Sequence, residues 1–487
     1  MSSGQGEEVT KITTNMFWRF AERILAQLVA FAVYVVLARI LDPDLFGTVA
    51  LLTVFINILQ VFVESGLGNA LIQKKDADNL DFSTVFFTNV VFCSFLYLLL
   101  FCLAPCISSF YNDSALTPFI RVLGITVLIS GVKNVQQAYV SRHMMFRKFF
   151  FATLGGTIVA GVVGILMALN GAGVWALVAQ HVINLLIDTI ILWIIVRWKP
   201  SAKYSFERLK GLFGFGWKLL VSSLIEAIYN NVYQLVVGKK YNTEALAYYN
   251  QGEKIPKLIV TNINTSMDSV LFPVMSNVQD EKEHLRSMTK RTIKTSIYIL
   301  APLMFGLAAI GEPLVSVMLT EKWLPAVPFL RIFCVTYVFY PIHTANLNAL
   351  KAMGRSDLFL KLEIMKKVVG ISAILITVNI SATAIAYSLL VTNFICQIIN
   401  SWPNRKLLKY GYLEQIKDIL PCLGLALLMA VCVFFVKYVN LPTILVLIIQ
   451  IVLGAAIYLG GSKILKIESL NYLIEIVKKY LNKKRVA

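Results

Sequence analysis

The chain has 487 residues, of which 57% are hydrophobic and only 15% charged, and its mean hydropathy is +0.72. That balance excludes a water-soluble protein of this length. The formal net charge of +18 invites a nucleic-acid partner, but the cations are distributed as a membrane topology would distribute them, so none is expected.

In chain order, Met1–Thr14 is polar and Phe17–Ile40 is too long for the apolar region of a signal peptide, so the latter is expected to remain as the first span. It opens Trp18-Arg19-Phe20-Ala21-Glu22-Arg23. Arg19 and Arg23 lie one helical turn apart with Glu22 beside them. Either these side chains snorkel to the headgroups or they face a ligand. Val85–Ala104, Phe150–Leu169 and Ile444–Gly461 each approach the roughly 20 apolar residues that cross a hydrocarbon core. Pro105–Thr117 and Gly311–Val327 are the longest expected external loops. Gly155, Gly156, Gly161 and Gly164 suggest close helix packing.

Asp188 in the sixth span, near Gln180, His181 and Asn184, either binds a proton or cation or joins two helices by a hydrogen bond. Glu226, Asn230, Asn231 and Gln234 form a polar stripe on the seventh span. The eighth is the most polar, running from Tyr248 through Glu253, Lys254 and Lys257 to Asn262, Asn264 and Asp268, with Pro256 expected to bend it. Such a helix cannot face lipid and should line water. Lys254 and Lys257, one turn apart, either present positive charge to that water or pair with Glu253. From Glu468 to Arg485 apolar residues alternate with lysines, as in an amphipathic helix lying on an anionic leaflet.

Walking outward from a cytoplasmic N-terminus, the loops that fall inside carry most of the basic residues, Arg142, Arg147, Lys148, Arg197 and Lys199 among them. Those outside hold little beyond Lys239, Lys240, Lys322 and Lys437. Both termini are therefore expected in the cytoplasm. The seven cysteines have no metal-site spacing and read as small hydrophobes. No phosphate-cradling GxxxxGK[ST] run is present, and no acidic pair of the kind a glycosyltransferase uses, so neither an ATP-driven pump nor an enzyme is expected, and no cofactor. Coupling to a proton or sodium gradient remains open, with Glu22, Asp188, Glu226 and Asp268 as candidate ion-coupling groups.

The chain also resembles itself. Pro118-Phe119-Ile120-Arg121-Val122 returns as Pro328-Phe329-Leu330-Arg331-Ile332, Trp175-Ala176 as Ile385-Ala386, and Trp18 as Trp217, at an offset drifting from about 199 to about 210 residues. The paired arginines Arg121 and Arg331 sit near the outer ends of their spans, where anchoring fits better than ligand binding. The fold expected is all-α and polytopic, with about fourteen transmembrane helices. Two parallel-repeat bundles of six would surround a central cavity, an architecture that points to transport by alternating access. The expected divisions are an N-terminal lobe at 1–205, a C-terminal lobe at 206–412, two further spans at 413–465 and a basic tail at 466–487.

Several stretches resemble the polysaccharide-export branch of the multidrug/oligosaccharidyl-lipid/polysaccharide (MOP) flippase superfamily, the Wzx-type lipopolysaccharide, O-antigen and exopolysaccharide exporters. They are Leu37-Ala38-Arg39-Ile40-Leu41-Asp42-Pro43-Asp44-Leu45-Phe46-Gly47, Gly66-Leu67-Gly68-Asn69-Ala70-Leu71-Ile72-Gln73-Lys74-Lys75, Gly171-Ala172-Gly173-Val174-Trp175-Ala176, Leu271-Phe272-Pro273, Glu321-Lys322-Trp323-Leu324-Pro325-Ala326 and Ala349-Leu350-Lys351-Ala352-Met353-Gly354-Arg355. The resemblance implies a flippase in the bacterial inner membrane that moves undecaprenyl-pyrophosphate-linked oligosaccharide to the periplasmic leaflet. Its implied partners are that lipid-linked substrate, membrane lipids, a polysaccharide polymerase and glycosyltransferases. It also implies pyrophosphate-binding cations on the first and eighth helices, which here are Arg19, Arg23, Lys254 and Lys257, lysine standing on the eighth helix where the family has arginine. A head group with two negative charges gains roughly 4–5 kcal/mol on leaving an inside-negative membrane of about 100 mV. The alternatives are a drug/cation antiporter of the same superfamily and a lipid II flippase.

Overall fold

A computed structural model describes residues 25–64, 67–74, 76–475 and 478. Ordered structure among these residues is helical, with no strand. Two compact units divide at Ala247/Tyr248, where the sequence reading divides lobes at 205/206.

The first unit contains α1 (Leu25–Ile40), α2 (Pro43–Glu64), the short α3 (Leu67–Gln73), α4 (Asn79–Tyr111), α5 (Leu116–Arg142), α6 (Phe146–Leu169), α7 (Val174–Val196) and α8 (Phe206–Lys240), and then the first turn of α9 (Thr243–Ser276). The second unit continues α9 and adds α10 (Lys282–Ala309), α11 (Gly311–Leu319), α12 (Val327–Val338), α13 (Tyr340–Ala352), α14 (Ser356–Thr377), α15 (Ala382–Leu407), α16 (Tyr412–Phe435) and α17 (Thr443–Ile464). Among the described residues, ten helical stretches are long and apolar enough to cross a membrane. The expected fourteen would also require α1, which is apolar but short, and α8, α9 and α14, which are long and more polar. Large apolar side chains project outward along the apolar spans: Val91, Ile194 and Val452 are among the exposed ones. In water that would be a liability; in lipid it is the solvent-matched surface.

Both loops expected to be long are shorter or structured. Pro105 lies inside α4, which continues to Tyr111 and ends on Asn112 in the left-handed conformation (φ 57°), whose N–H returns to the Ser108 and Ser109 carbonyls. Gly311–Val327 folds into α11 and a 3-10 turn, Glu321–Ala326, that buries Trp323 completely. Tyr248 donates its hydroxyl to the Lys322 carbonyl at 3.3 Å.

The repeat is visible in geometry. Arg121 directs its Nε at the Phe101 carbonyl (3.4 Å) near the end of α4, with its guanidinium 4.1 Å from the Phe101 ring centroid. Arg331 makes the corresponding contact to the Ala308 carbonyl (3.3 Å) near the end of α10 and adds Glu312 at 2.8 Å. Each arginine ties the head of one span to the tail of the preceding one, as anchors do.

The stretch Leu67–Lys74 and its surroundings hold one end of the first unit. Asp81, fully buried in the first turn of α4, accepts from Lys74 at 2.7 Å and from Arg208 at 3.1 Å. Asp78 caps the same helix through the Asp81 N–H, and that bond, with Arg208 beside it, holds its carboxyl below the usual range. Trp198 donates to Asn79 (2.8 Å) and packs with Phe82 and Leu212 in one apolar cluster. In the second unit α16 and α17 pack onto α10: Gly461 meets Leu425, and Tyr458 donates to the Tyr298 carbonyl at 2.8 Å. Beyond α17 residues 468–475 are helical, Glu468 binds Lys294, and Arg291 lies 4.8 Å from the Tyr472 ring centroid. The Lys294 bond holds the Glu468 carboxyl below its ordinary value. The lysine-rich remainder of the expected amphipathic segment, from 479 on, lies outside the described residues.

Gly47, within the first quoted stretch, is required by close approach. A Cβ there would sit 1.7 Å from the Thr243 carbonyl oxygen, which is backbone and cannot swing aside. Gly47→Ala is expected to cost about 1–3 kcal/mol, read as a lowered thermal midpoint of the purified protein. Gly424→Ala, where a Cβ meets nothing within 4 Å, serves as the silent control.

Candidate functional site

Inside the first unit a charged pair sits deep in two spans. Lys133, in the second half of α5, donates to Asp188 on α7 at 2.6 Å, with both side chains about nine-tenths buried. Glu64, the last residue of α2, lies close enough to feel the Lys133 charge. Around the pair run neutral bonds: Gln60 to Ser130 (3.1 Å) and Asn89 to Asn134 (3.3 Å). Gly156 lets α6 approach here, since a Cβ would stand 2.7 Å from the Asn184 carbonyl and 3.0 Å from Asp188 Cβ. Asp188 is thus locked to a cation. Sequence reasoning missed Lys133, although a lysine within Val127-Leu128-Ile129-Ser130-Gly131-Val132 and its continuation was the signal available.

In the second unit α9 passes unbroken through Pro256. One face is buried at Gln251, Gly252, Pro256, Val260 and Asn264. The opposite face is open and almost wholly polar: Lys254, Lys257, Thr261, Asn262, Thr265 and Ser266. Glu253 binds Lys257 at 3.0 Å and accepts the Tyr337 hydroxyl at 2.6 Å, so it is fixed from two sides. Further along, Asp268 accepts from Asn348 at 2.5 Å.

Behind α9 the span made of α12 and α13 is broken at Phe339, two residues before Pro341, which has no N–H to offer the Tyr337 carbonyl. The Thr336 carbonyl at this break is taken by Asn393 of α15 (2.6 Å). Asn393 also meets His343, whose other ring nitrogen meets Asn400. A second group of bonded carboxamides, Asn346, Asn404 and Gln415, lies on the same helices and α16; these three and Asn400 are fully buried. Irregular backbone inside a span is tolerated where protein groups satisfy it, as here.

Of the residues singled out from sequence, Arg19, Glu22 and Arg23 lie outside the described residues. Lys254 and Lys257 share the open face of α9, Asp268 continues down the same helix, and Glu226 is exposed on α8. Glu363 and Lys366, bonded to each other at 2.5 Å on α14, are a further charged pair that the sequence reading passed over.

A helical protein whose apolar surface faces outward and whose interior carries ion pairs and a carboxamide network is a multi-pass membrane protein. The solved structure of the lipid II flippase MurJ in an inward closed conformation is similar over 92% of this chain and 98% of that one, with a TM-score of 0.74. At 14% identity that is a likeness of fold alone. The family described as polysaccharide biosynthesis protein matches residues 36–328, more than half the chain, and the protein belongs to it. The teichuronic acid biosynthesis protein TuaB of Bacillus subtilis is 27% identical over 302 residues, 61% of this chain and 62% of that protein. The lipopolysaccharide biosynthesis protein WzxC of Escherichia coli is 24% identical over 417 residues, covering 84% and 82%.

Removing one partner of the buried pair leaves the other charge stranded. Lys133→Met is expected to lower stability by about 3–5 kcal/mol, whereas the double variant Lys133→Met, Asp188→Leu recovers most of it. Thermal unfolding of the detergent-purified variants measures both, and equal losses in the single and double variants would show that the pair is not what holds α5 to α7.

Proposed function

We propose that this protein is a flippase of the MOP superfamily that carries a lipid-linked oligosaccharide from the cytoplasmic to the periplasmic leaflet of a bacterial inner membrane by alternating access. Family membership supports the glycan pathway, and the similar proteins are named for teichuronic acid and lipopolysaccharide biosynthesis. The observation that carries the reading is the open face of α9. It places two ammonium groups, Lys254 and Lys257, at the head of a run of hydroxyls and a carboxamide on a helix too polar for lipid. A pyrophosphate diester needs cations to leave the headgroup region, and a sugar chain needs exchangeable hydrogen-bond partners along its way. Arg19 and Arg23 are kept, on the family resemblance, as candidate pyrophosphate-binding cations of the first helix, and the polymerase and glycosyltransferases of the pathway as functional partners. The protein acts without chemistry of its own. The likeness of fold to MurJ favours a lipid II flippase as the second reading, one that keeps the same pyrophosphate and polyprenyl chemistry and changes the sugar.

Lys254→Ala with Lys257→Ala is expected to cut glycan export about tenfold or more, the scale of losing charge-assisted contacts to an anion. Lys254→Arg, which keeps the charge, should export. Surface glycan in a strain lacking the chromosomal copy is the readout, with membrane quantities matched. Full export by the double alanine variant removes α9 from the site. Separately, a C-terminal green fluorescent protein fusion is expected to fluoresce and a C-terminal alkaline phosphatase fusion to be inactive, as a cytoplasmic terminus requires.

A further inference from the structure

We propose that His343 is a proton-binding site of the second unit, and that its protonation rearranges the contact between α13 and α15. This rests on the flippase reading and names an energy source for it. The Asn393 amide is oriented by its own Nδ2, which donates to the Thr336 carbonyl at 2.6 Å, so its Oδ1 faces the ring. His343 Nε2, 2.7 Å away, must therefore carry a hydrogen. On the other side Asn400 Nδ2 lies 2.8 Å from His343 Nδ1, which accepts from it. The ring is thus a neutral imidazole with one tautomer dictated by its neighbours.

Asn400 Oδ1 is meanwhile buried with no partner among the described residues. A proton added at Nδ1 would set two donors against each other, Nδ1–H and the Asn400 amide. Rotating that amide by half a turn resolves the conflict, since Oδ1 then accepts from Nδ1–H in a charge-assisted bond. The same rotation carries Nδ2 to the place Oδ1 leaves, where no described residue bonds it, and an unmet buried donor beside a cation favours a shift of α15 against α13. The helix break at Phe339, one turn before His343, is where such a shift is easiest.

Of the other charged groups on the helices around the ring, α9 brings Asp268 to Asn348 of α13, where it accepts at 2.5 Å. Lys366 of α14 is felt at the ring, and its partner Glu363 offsets it at 2.5 Å. On its own helix the Tyr340 ring lies 5.6 Å away, centroid to centroid. α15 presents amides, and α12 the Thr336 carbonyl relayed by Asn393. On α10 Arg286, Lys290 and Lys294 are bound to Glu414, Asp418 and Glu468. An imidazolium at so closed a site is costly, so proton uptake favours a conformation in which the network has opened, and by linkage acid favours that conformation too.

Cys396, buried on α15 between Asn393 and Asn400, reports the opening without any substrate, and exposed Cys106 provides the reference. The purified wild-type protein in lipid nanodiscs is treated with N-ethylmaleimide and each cysteine is quantified by peptide mass spectrometry. The Cys396-to-Cys106 labelling ratio is expected to rise about threefold or more from about pH 7.5 to about pH 5.5. In His343→Gln, which supplies a donor and an acceptor but cannot titrate, the ratio should stay flat. A flat wild-type ratio, or the same rise in the variant, overturns the proposal. Because no glycan enters this measurement, its failure leaves the flippase reading standing, and a loss of export in the α9 variants is read independently.

Discussion

Hydrocarbon offers a polar group nothing to bond with, so each carboxylate, ammonium and carboxamide in a span must find its partner in the protein or in water held there. That constraint explains why these helices sit as they do more fully than apolar packing does, since lipid tails solvate leucine as well as a neighbouring helix would. α5 and α7 meet where Lys133 and Asp188 cancel each other's charge, and α6 is admitted to the same place by a glycine. α13 and α15 meet along a column of amides. The exposed polar side chains of α9, Lys257, Thr261, Asn262, Thr265 and Ser266, cannot face lipid, so that face must be wet.

The two units satisfy the constraint by different chemistry. The first uses opposite charges: Lys133 with Asp188 in the interior, and Lys74 and Arg208 on Asp81 at one end. Breaking such pairs is expensive, so these contacts suit parts that move as one body. The second has ion pairs too, Lys366 with Glu363 and Arg331 with Glu312 among them. Where α13, α15 and α16 meet, however, it relies on neutral amides and one imidazole, whose bonds exchange at lower cost because donor and acceptor are carried on the same side chain. It also contains the broken span.

Much of this was legible in the sequence, and what was missed has physical reasons. Apolar run lengths located the spans of α4, α6 and α17, and the repeated Pro-Phe-x-Arg motif found two arginines whose contacts prove equivalent. Asp188 stood out because an acid in an apolar run is conspicuous, yet its partner did not, because pairing across 55 positions leaves no local pattern. The carboxamide network was harder still: single asparagines at spaced positions look like ordinary moderate polarity until α13, α15 and α16 are brought together. The ends of α4 and α11 were misjudged because proline and glycine usually mark loops, while Pro105 lies within a helix and Gly311 begins one.

The charge on α9 also bears on how a flippase could let go of what it holds. On the proposed reading Lys257 spends part of its field on Glu253, itself fixed by Tyr337, so that even with Lys254 protonated the cluster would offer no more than about one net positive charge. Two uncompensated lysines would bind a pyrophosphate more tightly and release it more slowly, and tight binding of both loaded states equally does nothing to speed passage between them. A single net cation leaves a doubly charged head group still negative. An inside-negative membrane then continues to drive that remainder outward, by roughly 2.3 kcal/mol for each charge per 100 mV. Weak, partly neutralised binding and field-assisted exit are therefore two consequences of one carboxylate placed a turn before a lysine.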